Sequence, residues 1–61
     1  MLTNEQLAEI AYNAYCENRQ WKSVRGEALP DWKHQHPDLQ VAWIAASSAV
    51  AHAVRNDINT P

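Results

Sequence analysis

Pro37-Asp38-Leu39-Gln40-Val41-Ala42-Trp43-Ile44-Ala45-Ala46-Ser47-Ser48-Ala49-Val50-Ala51-His52-Ala53 is the stretch whose reading decides the fold. It holds no glycine. Its one proline stands first, where a missing N–H costs little and the fixed φ already suits a helix. Asp38 follows in the first turn, beside the positive end of the helix dipole. Leu39, Trp43, Ala46, Val50 and Ala53 recur at steps of four and three, so one apolar stripe runs along a helix predicted over 37–55. Val41, Ile44, Ala45, Ser48 and Ala51 form a second stripe elsewhere on the circumference. A helix that is apolar on more than one side needs more than one neighbour.

The first neighbour lies at the N-terminus. In Leu2-Thr3-Asn4-Glu5-Gln6-Leu7, Thr3 and Gln6 have the spacing of a capping box, and Leu2 with Leu7 that of a hydrophobic staple. Leu7, Ile10, Ala11, Ala14 and Tyr15 then follow the helical repeat while Glu5, Glu9, Asn13 and Glu17 take the other side. The spacing predicts a helix over 4–19, with Tyr15 on its apolar face. Tyr12 falls off the centre line of that face and its role stays open. Small residues at Ala8, Ala11 and Ala14, and at Ala42, Ala46, Ala49 and Ala53, allow close approach of helix backbones, although alanine is also simply the best helix former.

Between the helices, 20–36 carries the only glycine, Gly26, and the proline Pro30, so it is not one regular element. Connections of that length are functional or carry structure of their own. Pro30-Asp31-Trp32-Lys33 fits a single helical turn with proline first, and the expectation is an ordered loop pinned by Trp21, Leu29 and Trp32. The polar stretch 56–61 is expected to fray.

The whole is one domain, 1–61, of the all-α class: a helical hairpin with a long ordered connecting loop. A chain this short buries only about 60% of its unfolded surface. The usual staples are missing. Cys16 is the single cysteine, which rules out an internal disulfide and suits a reducing, cytoplasmic setting. His34, His36 and His52 with Cys16 lack zinc-ligand spacing, so no metal and no cofactor is expected. Self-association remains, as a dimer packing in a four-helix arrangement.

The charge balance narrows the partners. Five Lys+Arg against seven Asp+Glu give a net charge of −2, which offers no basic face to duplex nucleic acid. No apolar run reaches the length of a membrane span. Enzymatic chemistry is not expected either. Cys16 has no base within helical reach, and Ser48 with His52 on a helix has no oxyanion donors, because the helix uses its own amides.

Trp21-Lys22-Ser23-Val24-Arg25-Gly26 is the fragment with binding character. An aromatic face, two cations, a hydroxyl and a glycine within six residues suit an anionic, nucleotide-like ligand, with the ring stacking and arginine forking to phosphate. The alternative is a Trp21 that covers the hairpin core while Lys22 and Arg25 are solvated. Trp32, beside Lys33 and His34, carries the same two readings, whereas Trp43 lies on the main stripe as core.

Ala11-Tyr12-Asn13-Ala14-Tyr15, Lys22-Ser23, Leu29-Pro30-Asp31-Trp32 and Gln40-Val41-Ala42-Trp43-Ile44-Ala45-Ala46 together resemble small bacteriophage and prophage proteins of unknown role. These look like the ryanodine-receptor-type (RyR) domain, and the resemblance covers about 7–54. It implies recognition of nucleotide-derived ligands, and on matching positions it points to Tyr15, Lys22, Trp32, Gln40 and Trp43. The short tail and the lack of a partner domain depart from that pattern and favour a free-standing binder. The expected function is a non-enzymatic phage accessory protein that binds a small anionic ligand, a host defence signal, stoichiometrically through Tyr15, Trp21, Lys22, Arg25, Trp32, Gln40 and Trp43. The alternative is a protein–protein interaction module that docks onto a host protein.

Overall fold

The computed structural model describes residues 1–59. Helix α1 spans Asn4–Asn18, a 3-10 turn spans Trp32–His34, and helix α2 spans Pro37–Asn59. The fold is an all-α helical hairpin, with no strand among the described residues. The ring of Tyr15 lies 5.3 Å from that of Trp43, whereas Leu7 shares a groove with Val54 and Ile58. The two helices therefore run antiparallel.

The N-terminal capping box forms as its spacing predicts: the Gln6 amide donates to Thr3 Oγ1 at 3.1 Å, and the Thr3 amide donates to Gln6 Oε1 at 2.8 Å. α1 stops at Asn18 with Arg19 as its cap. The Trp21 amide then donates back to the Cys16 carbonyl at 2.7 Å and the Gln20 amide to Glu17 at 3.1 Å. That pair of bonds is the Schellman closure of a helix end, which requires a left-handed residue just past the cap. Here the left-handed position is taken by Gln20, at φ 57°, and Trp21 follows at φ 58°.

The faces that pack differ from the expected ones. On α1 the buried residues are Ala8, Tyr12 and Cys16, while Ile10 and Tyr15 stay exposed. Tyr12 is one position from Ala11, about 100° around the helix, so the contact line has rotated away from the stripe of Leu7, Ile10, Ala11, Ala14 and Tyr15. The cause is Tyr12 itself, whose ring reaches the loop and α2 together. On α2, Ser47 is buried, and Gln40, Trp43, Ile44, Ser48 and Ala51 are partly so. That line runs between the two expected stripes, leaving Leu39, Val41 and Val50 exposed.

Two further boundaries differ. The short turn begins at Trp32 rather than Pro30, because Asp31 caps it: its Oδ1 accepts from the His34 amide at 3.0 Å. α2 runs on to Asn59, where a frayed tail from 56 was expected. Ile58 continues the step-of-four series of Val50 and Val54. Thr60 and Pro61 of that tail lie outside the described residues.

The core is aromatic. Ala8, Tyr12, Cys16 and Trp32 are buried, with Trp21, Leu29, Trp43 and Ile44 packed against them. Tyr12 meets every other aromatic ring of the chain: Tyr15 and Trp21 at 6.4 Å, Trp32 at 5.8 Å and Trp43 at 5.6 Å. Most of these pairs are tilted or edge-on, the arrangement that aligns one ring's positive edge with another's negative face.

Candidate functional site

The loop after α1 is held by its own backbone. Lys22 pairs with Ala28 in an isolated antiparallel bridge. The Ser23 amide donates to Glu27 at 2.7 Å, the Gly26 amide to Ser23 at 2.8 Å and the Leu29 amide to Trp21 at 2.8 Å. Ser23 Oγ accepts from the amides of Arg25 at 3.3 Å and Glu27 at 3.1 Å. An anion cradle needs amides aimed at the ligand, and here those of Ser23, Arg25, Gly26 and Glu27 are bonded within the loop. Gly26 supplies the positive φ of the turn, 84°, so its role is conformational.

The candidate ligand residues separate into two groups. Trp32 is buried, with 6% of its surface exposed, and Trp21 is half-buried, edge-on to Tyr12. Trp43 is half-buried between Tyr12 and Tyr15. Gln40 is tied down as well, its Nε2 donating to the Trp32 carbonyl at 2.7 Å. These four are parts of the hairpin's packing. Lys22 and Arg25 are exposed. The cation that does meet an aromatic face is Arg19, whose guanidinium carbon lies 5.9 Å above the Tyr15 ring. Arg19 also donates from Nε to the Lys22 carbonyl at 3.2 Å.

The titratable groups follow the same division. Tyr12 donates its hydroxyl to the Pro30 carbonyl at 2.6 Å, and burial, with Cys16 adding to it, pushes its pKa well above the ordinary phenol range. At the exposed turn, His34 Nδ1 lies 2.6 Å from Asp31 Oδ1. The His34 side chain, followed by its amide, holds the Asp31 carboxyl below the usual range. No cluster of His, Cys, Asp or Glu among the described residues has the arrangement of a metal site. Cys16 is buried and unpaired, a packing thiol.

A concave feature of the molecule lies elsewhere. Leu7 and Ala11 of α1 and Trp43, Ala46, Ser47, Val50, Ala51, Val54, Arg55 and Ile58 of α2 line an open groove of about 620 Å³. Ser47 Oγ is buried there without a hydrogen-bond partner. Among the described residues, Arg55 is the one charged residue in the lining.

The groove is built from the flanks the sequence offers as core. Leu7 and Ala11 belong to the expected α1 stripe, and Trp43, Ala46 and Val50 to the main α2 stripe. Because the contact line rotated on both helices, those stripes meet at a groove instead of each other. Reading single residues for chemistry passes over this surface. The signal that finds it is the excess of apolar positions on α2.

No protein-family model, no curated protein and no solved structure matches the chain, so the RyR-type resemblance rests on the residues quoted for it alone.

Proposed function

We propose that this chain is a non-enzymatic interaction module that works by seating an amphipathic helix in the groove between α1 and α2. One observation carries the reading: the groove is continuous and apolar, following α2 from Trp43 to Ile58, about 22 Å at 1.5 Å per residue. That is the length of a four-turn helix. Helix-in-groove recognition uses apolar anchors at steps of three and four, and Ala46, Val50, Val54 and Ile58 present their complement. A host protein of the kind the phage resemblance implies is one such partner. The anionic-ligand reading draws on Lys22 and Arg25, which do not line this groove.

The test is an amide-resolved NMR titration with a short Leu/Lys amphipathic helix and, separately, with a nucleoside triphosphate. The peptide is expected to move the signals of Ala46, Val50, Ala51 and Val54 and to leave Lys22–Gly26 in place. If the nucleotide instead moves Trp21, Lys22 and Arg25 at micromolar concentration while the peptide does nothing, the loop is the site and this reading is wrong.

A further inference from the structure

The free hairpin exposes more surface than its mass accounts for. A compact monomer of 6.9 kDa has an accessible surface of about 4,000 Å², whereas this chain exposes 4993 Å². The radius of gyration agrees: 13.4 Å, against roughly 10.5 Å for a compact domain of this length. The excess, about 1,000 Å², is comparable to the roughly 800 Å² each partner contributes to a standard protein interface.

Part of the exposed apolar surface lies along α2. α2 has 23 residues and α1 has 15, so α2 overhangs its partner. Val50, Val54 and Ile58 on and beside that overhang are 63%, 53% and 76% exposed. They continue the groove that Leu7 and Ala11 complete from α1.

Resting on the helix-docking reading above, we propose that the groove's occupant is a second copy of this chain, giving a two-fold dimer with four helices around one apolar core. Three features select this occupant. Apolar residues of both helices line one groove, Leu7 and Ala11 from α1 and Ala46, Val50, Val54 and Ile58 from α2, which suits the half-core of a four-helix bundle. A two-fold contact must be self-complementary, and a strip with a single charge, Arg55, meets its own copy with little like-charge repulsion. Ala11, Ala46 and Ala51 in the lining let the helices of two copies come close enough for dense packing.

Sedimentation equilibrium from micromolar to sub-millimolar concentration tests the proposal, together with melts across the same range. The expected result is a mass rising to twice 6.9 kDa and a Tm that rises with concentration, as linkage requires of an associating fold. Val54→Glu is expected to weaken association by at least about tenfold, because it sets a charge in the apolar seam. Val41→Glu, on the other side of α2 and likewise exposed in one hairpin, is expected to leave it unchanged. Circular dichroism of Val54→Glu at low concentration separates a folded monomer from an unfolded chain, and in the latter case the wild-type concentration series decides.

A 6.9 kDa species throughout, with a Tm independent of concentration, overturns the proposal, as does a dimer broken by Val41→Glu and indifferent to Val54→Glu. If such a monomer still takes the Leu/Lys helix in its groove, the docking reading survives and its occupant is a different protein. If it takes nothing, both fall.

Discussion

The Tyr12 hydroxyl donates to the Pro30 carbonyl at 2.6 Å from within a cluster of all the chain's other aromatic rings. One side chain thereby joins α1, the loop and α2. Tyr12→Phe keeps the ring and removes the bond, leaving a partly buried carbonyl without its donor. A cost of about 1 to 2 kcal/mol is expected, read as a Tm lower by several degrees, since 1 kcal/mol moves a domain of this size by roughly 4–8 °C. An unchanged melt would mean that water replaces the hydroxyl freely. The sequence does not flag Tyr12, because on a helical wheel it sits beside the aliphatic stripe and its bonding partner is eighteen residues away. Asp31 is expected inside the turn behind Pro30, whereas it stands before the turn and caps it. Its carboxyl is held below its ordinary pKa by His34. A depressed acid contributes stability that is present above its unfolded pKa, about 3.9, and is lost as pH falls through the folded one. Asp31→Asn retains an amide-accepting oxygen at the cap and removes the titration. The fall in Tm on acidification below about pH 4 is therefore expected to be shallower in that variant, and an identical acid limb would assign the pH dependence to other carboxylates.

At the scale of the element, helix existence follows from the sequence and helix rotation does not. The capping box at Thr3 and proline at the start of α2 are local devices, satisfied within a few residues, so both helix starts are legible. Which face turns inward is settled by shape across the pair. Ala8 and Ser47 are small enough to let the helices close, and Gln40 is drawn inward by the Trp32 carbonyl. A polar residue such as Ser47 or Gln40 is discounted by any hydrophobic count, which is why the inferred stripes straddle the true contact. The end of α1 is read to within one residue, 19 against Asn18, but the way it closes is not. A Schellman closure normally announces itself by glycine, but this chain places Gln20 in the left-handed region at φ 57°. A side chain there costs roughly 1–2 kcal/mol, and Gln20 is exposed with no packing role to offset it. Gln20→Gly is expected to raise stability by about 0.5 to 1 kcal/mol in urea denaturation, the relief being reduced by glycine's larger unfolded-state entropy. Trp21 at φ 58° carries similar strain, but its ring packs edge-on against Tyr12, so Trp21→Gly should destabilise. A stabilised Trp21→Gly would show that this ring contributes nothing to the core.

For the whole molecule, the open question is how a hairpin with a small aromatic core at one end sustains a helix that outruns it. Tyr12, Tyr15, Trp21, Trp32 and Trp43 gather near the loop. The far end of α2 has only the groove beside it, with Val54 and Ile58 exposed. An isolated helix end of that length is marginal in water, since most helical stability in proteins comes from tertiary packing of an apolar face. The apolar excess on α2 is legible in the sequence and implies a further partner; where that surface lies is not, because its position depends on the rotation of both helices. In a single hairpin, local opening should cost least where buried contacts are fewest. Amide exchange at Val54, Arg55 and Ile58 is therefore expected to run nearly unprotected in a dilute sample, while the amides of Tyr12 and Cys16 exchange slowly. If two hairpins close over the groove, protection at Val54 to Ile58 should grow with protein concentration and approach that of the aromatic end, since both would then open only on dissociation. Hydrogen exchange at two concentrations spanning the association midpoint measures this directly. Protection at Val54 that is already high in dilute solution would mean the helix end is stable alone, and the need for a partner would vanish with it.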